Sequence, residues 1–167
     1  MRKIQVVDYD PTWPDLFEIE STLLGRTLGS LAIGIHHIGS TAVPRLPAKP
    51  IIDILFEVSD LAALDALNGQ MSAIGYEPKG EYGIAGRRYF QKGDDQRTHH
   101  IHAFVTGDVN LIRHIAFRDY LRANPAVAQE YGELKKQIAR TCNNDIEKYS
   151  YGKNNFIKHY AAIALGK

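Results

Sequence analysis

Residues suited to phosphate and metal chemistry occur close together early in this chain. Gly39-Ser40-Thr41 follows one apolar run, Lys49 stands in the loop after it, and Asp53 and Glu57 lie in the next apolar run. A glycine beside a phosphate lets backbone donors approach without a side chain in the way, and the Ser40 and Thr41 hydroxyls add hydrogen bonds. A carboxylate inside an apolar strand is costly unless it is paired, protonated or bound to a metal, which makes Asp53 in Ile51-Ile52-Asp53-Ile54-Leu55-Phe56 the informative acid. Strand alternation places Asp53, Leu55 and Glu57 on one face, so Glu57 supports a metal only with help from other ligands.

A Gly-Ser after a strand is by itself an ordinary turn, and the weight of the reading rests on its combination with Asp53. Gly34 and Gly39 stand at P-loop separation, but Ser40 replaces the lysine that loop needs, and Ile35-His36-His37-Ile38 has the character of a strand. Phosphoryl or nucleotidyl transfer requires in-line attack on phosphorus, with Mg²⁺ or Mn²⁺ neutralising the phosphates, so Asp53 and Glu57 are the expected metal carboxylates.

His100-Ile101-His102 puts two imidazoles on one strand face. They are read either as solvent-facing residues or as ligands and general bases that complete the Asp53 site, since imidazole suits Mn²⁺, Fe²⁺ or Zn²⁺ better than Mg²⁺. His37 is better read as packed or exposed than as a ligand. Lys49, and Arg87 or Arg88 at the start of the same hairpin, are placed to neutralise a triphosphate. Lys135, Lys136, Arg140, Lys148, Lys153 and Lys158 are read as helix-surface cations, with Lys153 the one to follow toward a ligand. Cys142 reads as a structural thiol, and no nucleophile elbow, His-Glu-x-x-His pair or paired-Cys motif is present.

These residues need a sheet to hold them. Asp10-Pro11 offers a cap and a first-turn proline for a helix with Trp13, Phe17, Leu24 and Leu28 on one stripe, ended by Gly29-Ser30. Residues 31–38 and 51–58 read as strands separated by a loop that Pro44, Pro47 and Pro50 keep irregular. A helix is predicted over 60–74 from Leu61, Leu64, Leu67, Met71 and Ile74, and a hairpin from residues 87–92 and 97–105 around Gly93-Asp94-Asp95. Three helices follow from Asp108 onward. The expected architecture is a single α/β (α+β) domain over 1–167, with a sheet-containing core at about 1–106 and a helical extension at about 107–167.

A hydrophobic content of 44% in 167 residues suits a domain with a real core, and a formal charge of +1 disfavours broad attraction to nucleic acid or anionic membrane. One cysteine, and no charged-then-apolar leader or long apolar span, set a cytoplasmic expectation.

The blocks His37-Ile-Gly-Ser-Thr-Ala-Val-Pro44, Ala48-Lys-Pro-Ile-Ile-Asp-Ile54, His100-Ile-His102, Phe117-Arg-Asp-Tyr-Leu-Arg122 and Tyr149 through Lys153 to Ile157 resemble the GrpB family of the nucleotidyltransferase superfamily. The resemblance implies a nucleotidyltransferase-like mixed β-sheet flanked by helices, with a nucleotide site at Gly39, Ser40 and Asp53. In the superfamily pattern a Gly-Ser grips phosphates and paired acids on the next strand hold divalent metals; Leu55 stands where the second acid belongs. The functional expectation is a nucleotidyltransferase that moves a nucleotidyl group from a nucleoside triphosphate to a small-molecule or protein acceptor. A non-catalytic nucleotide-binding or regulatory module is the alternative, and a His-containing metal-dependent hydrolase a weaker one.

Overall fold

Residues 3–167 are described by a computed structural model. The first apolar stripe forms helix α1, Trp13–Leu28, with Trp13, Phe17, Leu24 and Leu28 buried along one side. Its start differs from the predicted Asp10 cap. The Asp10 carboxylate accepts from Thr12 N and Oγ1 at 2.8 and 2.7 Å in a local turn, and the helix begins at Trp13 with Pro14 in its first turn.

Strands β1 (Ala32–Ile38) and β2 (Ile52–Val58) pair antiparallel, as neighbours joined by the proline-bearing loop. The predicted single helix over 60–74 is two short ones, α2 (Leu61–Asp65) and α3 (Asn68–Ala73). The apolar residues Leu61, Leu64 and Leu67 recur every third position, a spacing that favours a tightened turn, and Leu67 N donates to Leu64 O at 2.9 Å where the two helices part. Asp60 caps α2 by accepting from Ala62 N at 2.9 Å, a contribution of about 1 kcal/mol.

A two-residue strand β3 (Glu77–Pro78), absent from the sequence expectation, lies at the sheet edge, where its proline costs no ladder bond. The predicted hairpin forms β4 (Arg88–Lys92) and β5 (His99–Val105). The sheet order is β1-β2-β5-β4-β3, with β2 and β5 parallel at the centre and the other pairs antiparallel. It is a mixed sheet flanked by helices, as expected.

Alternation along β2 sorts its two faces. Ile52, Ile54, Phe56 and Val58 join Ile101 and Ala103 beneath α1, while Leu55 turns the other way to Ile38, Phe104 and Leu111. Helices α4 (Val109–Ala123), α5 (Pro125–Thr141) and α6 (Ile146–Ala164) follow, and Tyr131, Leu121, Leu134 and Phe156 pack around Val43 and Leu46 of the β1–β2 loop. That contact brings the C-terminal helices to the end of β2 that carries Asp53. No helix among the described residues is long and apolar enough to cross a membrane.

Candidate functional site

Asp53 lies in register between Ile38 of β1 and His100 of β5. Residues His100, His102 and Asp53 share one face, and Asp53 Oδ1 stands 3.6 Å from His100 Nδ1 and 3.7 Å from His102 Nε2. These are close polar contacts, longer than ordinary hydrogen bonds. Burial opposes charge on Asp53, but the two imidazoles outweigh it and hold the carboxyl well below the ordinary carboxylate range. With 31% of its side chain exposed, Asp53 opens onto a cavity.

Arg87 orients one of these histidines, His102. Its guanidinium is held by Glu81 O at 3.1 Å and Tyr82 O at 2.7 Å, and Nη1 lies 3.2 Å from His102 Nδ1. An arginine can only donate, so His102 Nδ1 accepts and the ring proton sits on Nε2, facing Asp53. Arg88 points away and makes a bidentate pair with Asp65 at 2.7 and 3.1 Å. Of the two arginines, only Arg87 faces the site side, and it reaches Asp53 through His102 rather than lining the cavity.

The Gly39-Ser40-Thr41 turn does line it, except that Gly39 does a different job from the one expected. Its φ is +72°, and a Cβ placed there would lie 2.6 Å from Asp53 Oδ2, so the glycine makes room for the carboxylate itself. Ser40 lies beside Tyr131, and Thr41 Oγ1 lies 2.9 Å from His37 Nε2. His37 is buried and stacked on Phe17 at 4.7 Å, a packed histidine as anticipated. Two arginines of α4 clasp the turn from outside: Arg118 Nη1 donates to His37 O at 3.1 Å and Arg122 Nε to Ala42 O at 2.8 Å.

The opposite wall is cationic. Lys49, Lys135 and Lys153 line a cavity of about 310 Å³ with Ser40, Asp53 and Tyr149. The ammonium groups of Lys49 and Lys153 lie 4.9 and 4.7 Å from the Tyr149 ring centre, and Lys135 Nζ lies 4.6 Å from that of Tyr131. Lys135 is 1% exposed, and its Nζ has no hydrogen-bonding partner among the described residues. Burial lowers its pKa well below the ordinary lysine value, Lys153 and Lys49 lower it further, and Asp53 pulls the other way. Burial lowers Lys153 as well, against the pull of Asp53.

Lys135 corrects the reading of that residue as a surface cation. It lies four residues after Tyr131 and seven after Ala128, on the buried stripe of α5, a spacing visible in the sequence but overridden by the charge of the side chain. The packing that buries it runs through Gly132, where a Cβ would lie 2.6 Å from Pro47, so the β1–β2 loop rests directly on α5. Tyr149, Arg118 and Arg122 were likewise given no role by sequence, although each falls within a block that carries the resemblance. Lys153 does reach the site. Arg140, Lys148 and Lys158 are exposed, as expected.

Glu57 does not join Asp53. It lies four residues along β2, about 13 Å at ~3.3 Å per residue, and its Oε1 sits 3.4 Å from His36 Nε2. Leu55 is fully buried against Ile38 and Phe104. The cavity therefore offers one carboxylate, two imidazoles and three lysine side chains. Among the described residues no group of three or more His, Cys, Asp or Glu side chains is arranged to hold a metal ion. Mg²⁺ requires several hard oxygen donors, and cationic lysines in the same space oppose it, so this donor set does not fit Mg²⁺.

Comparison with known proteins agrees with this architecture. Residues 3–162 match the family described as GrpB protein. The chain is 49% identical over 157 residues to the UPF0157 protein YqkA of Bacillus subtilis (strain 168), covering 94% of this chain and 46% of that protein, so it spans less than half of that relative. It is similar to the crystal structure of conserved protein GrpB from Enterococcus faecalis, with TM-score 0.93 and 45% identity over 97% of this chain and 98% of the other. A remoter likeness joins it to Cid1 in complex with its short product ApU, with TM-score 0.52 and 12% identity over 78% of this chain and 42% of that one. At that identity what is shared is the fold.

Proposed function

The chain belongs to the GrpB family, and from that premise we propose that it binds a nucleoside triphosphate by its phosphates, in the cavity between the Gly39–Thr41 turn and helices α5 and α6. The observation that carries this reading is the convergence of Lys49, Lys135 and Lys153 on one small polar cavity, where the buried Lys135 Nζ has no hydrogen-bonding partner among the described residues. Desolvating an ammonium in this way is costly, and an anion supplied from outside offsets the cost. A second cavity of about 600 Å³, lined in part by Lys3, Gln5 and Arg97, shares Lys49 and Ile51 with the first and offers room for the rest of the ligand. The fold shared with Cid1, whose complex holds ApU, supports a nucleotide as the ligand class.

Nucleotidyl transfer to a hydroxyl or amine acceptor is the second reading, favoured by the ionised Asp53 between two imidazoles at the cavity wall. There an acceptor would attack the α-phosphorus, pyrophosphate would leave, and a ring nitrogen of His100 would take the acceptor's proton. Isothermal titration with each nucleoside triphosphate, with and without Mg²⁺, tests binding, and pyrophosphate release across an acceptor panel tests transfer. Saturable binding with no pyrophosphate supports a binding module. Failure of every triphosphate under both conditions removes the proposal.

A further inference from the structure

Lysines line the cavity that Asp53, the expected metal carboxylate, faces, and this carries an inference that rests on the phosphate-binding reading above. We infer that the phosphates are neutralised by Lys135 and Lys153, with Lys49, and that the pocket takes its polyphosphate ligand free of divalent metal. The argument has three parts.

The acid that would share a metal with Asp53 is absent, and Leu55 in its place is sealed in an apolar cluster with Ile38, Phe104 and Leu111, so no small movement brings a second carboxylate forward. Glu57, the other acid on that face, is turned to His36. Charge is supplied instead from helices outside the strand pair. Lys135 comes from α5 and Lys153 from α6, and both are directed into the cavity that Asp53 faces. Lys135 Nζ is buried and, among the described residues, without a hydrogen-bonding partner, which leaves its N–H donors for a ligand.

The geometry also assigns Asp53 an unusual sign. In a metal-bridged site, its carboxylate holds the cation that holds the phosphate, and removing its charge abolishes binding. In a lysine-neutralised site, the same carboxylate repels the ligand and keeps the lysines from repelling one another while the cavity is empty. Removing its charge therefore tightens phosphate binding or leaves it unchanged.

The test is titration of ATP and of inorganic triphosphate into the parent protein, Asp53→Asn, Lys135→Met and Lys153→Met, each in EDTA and in Mg²⁺. The expected result is binding in EDTA that Mg²⁺ weakens by competing for the ligand, no loss of affinity in Asp53→Asn, and a loss of about tenfold or more in each lysine variant. Lys135→Met replaces a buried amine that has no hydrogen-bonding partner among the described residues with an apolar chain of similar length, so its melting temperature should hold or rise, and lost binding then reports the site rather than the fold. Binding that requires Mg²⁺, or that Asp53→Asn abolishes, overturns this inference and leaves nucleotide binding standing. No binding in either condition removes both.

Discussion

Gly39 and Asp53 are fitted to each other: the glycine's φ is +72°, and a Cβ on it would lie 2.6 Å from Asp53 Oδ2 and 3.0 Å from Asp53 Cβ. The turn expected to cradle a phosphate is thus also the seat of the carboxylate that faces the cavity.

Replacing Gly39 by alanine therefore meets two penalties, a left-handed backbone that L-residues avoid and a clash with a group fixed on the central strand. We expect Gly39→Ala to lose about 2–4 kcal/mol in urea denaturation. A loss under about 0.5 kcal/mol, the range of ordinary surface substitutions, would show that the turn moves freely away from Asp53.

Ligand binding should take up protons. Lys135 is depressed first by burial and then by Lys153 of α6 and Lys49 of the β1–β2 loop, with Asp53 of β2 opposing. Burial raises the facing phenols of Tyr131 and Tyr149, so they stay neutral. A bound phosphate restores the ammonium, so affinity falls as pH rises through the interval between the free and the bound pKa of Lys135. Calorimetry in buffers of differing ionisation enthalpy should report proton uptake in the parent protein and less in Lys135→Met; equal values in the two would contradict this.

Acid should weaken the fold before its carboxylates titrate. Burial pushes the His37 imidazole down to about 4, with Arg122 and Arg118 adding to the effect and Asp53 opposing it, and burial takes His114 down to about 3. Both bind protons more readily when unfolded, so their contribution is complete above about pH 6.5 and declines as the solution is acidified toward their folded values. For His37 the loss is on the order of 3 kcal/mol by pH 4. Urea midpoints measured across this range should fall, and His114→Phe should show a shallower fall than the parent.

Arg118 and Arg122 reach from α4 to the carbonyls of His37 and Ala42, on either side of the Gly39–Thr41 turn. Arg122→Leu should speed amide exchange at residues 39–43 and weaken triphosphate binding by roughly tenfold, with little change in exchange on β5. Unchanged exchange at the turn would assign Arg122 to the surface alone.

Much of this molecule is legible in its sequence because local rules and tertiary packing agree. The α1 stripe, β1, β2, the hairpin and the C-terminal helices follow from periodicity and turn residues, and Asp53, His100 and His102 converge because a period of two puts them on one face of paired strands, with the Gly39-Ser40 turn following β1 beside them. The break between α2 and α3 was less visible, since the same leucines fit a continuous helix and a tightened one. Charge and contact partners were not local properties. Lys135 falls on a buried stripe, yet a lysine at that spacing ordinarily faces water, and only the tertiary packing of α5 encloses it. Likewise both Arg87 and Arg88 had the chemistry to meet a phosphate, and the pairing of strands sent one to His102 and the other to Asp65. The sequence by itself determined which strand carries the acid and that its second acid is missing; tertiary structure decided what charge fills the space beside it, because that depends on Lys135 and Lys153, more than 80 residues from Asp53 along the chain.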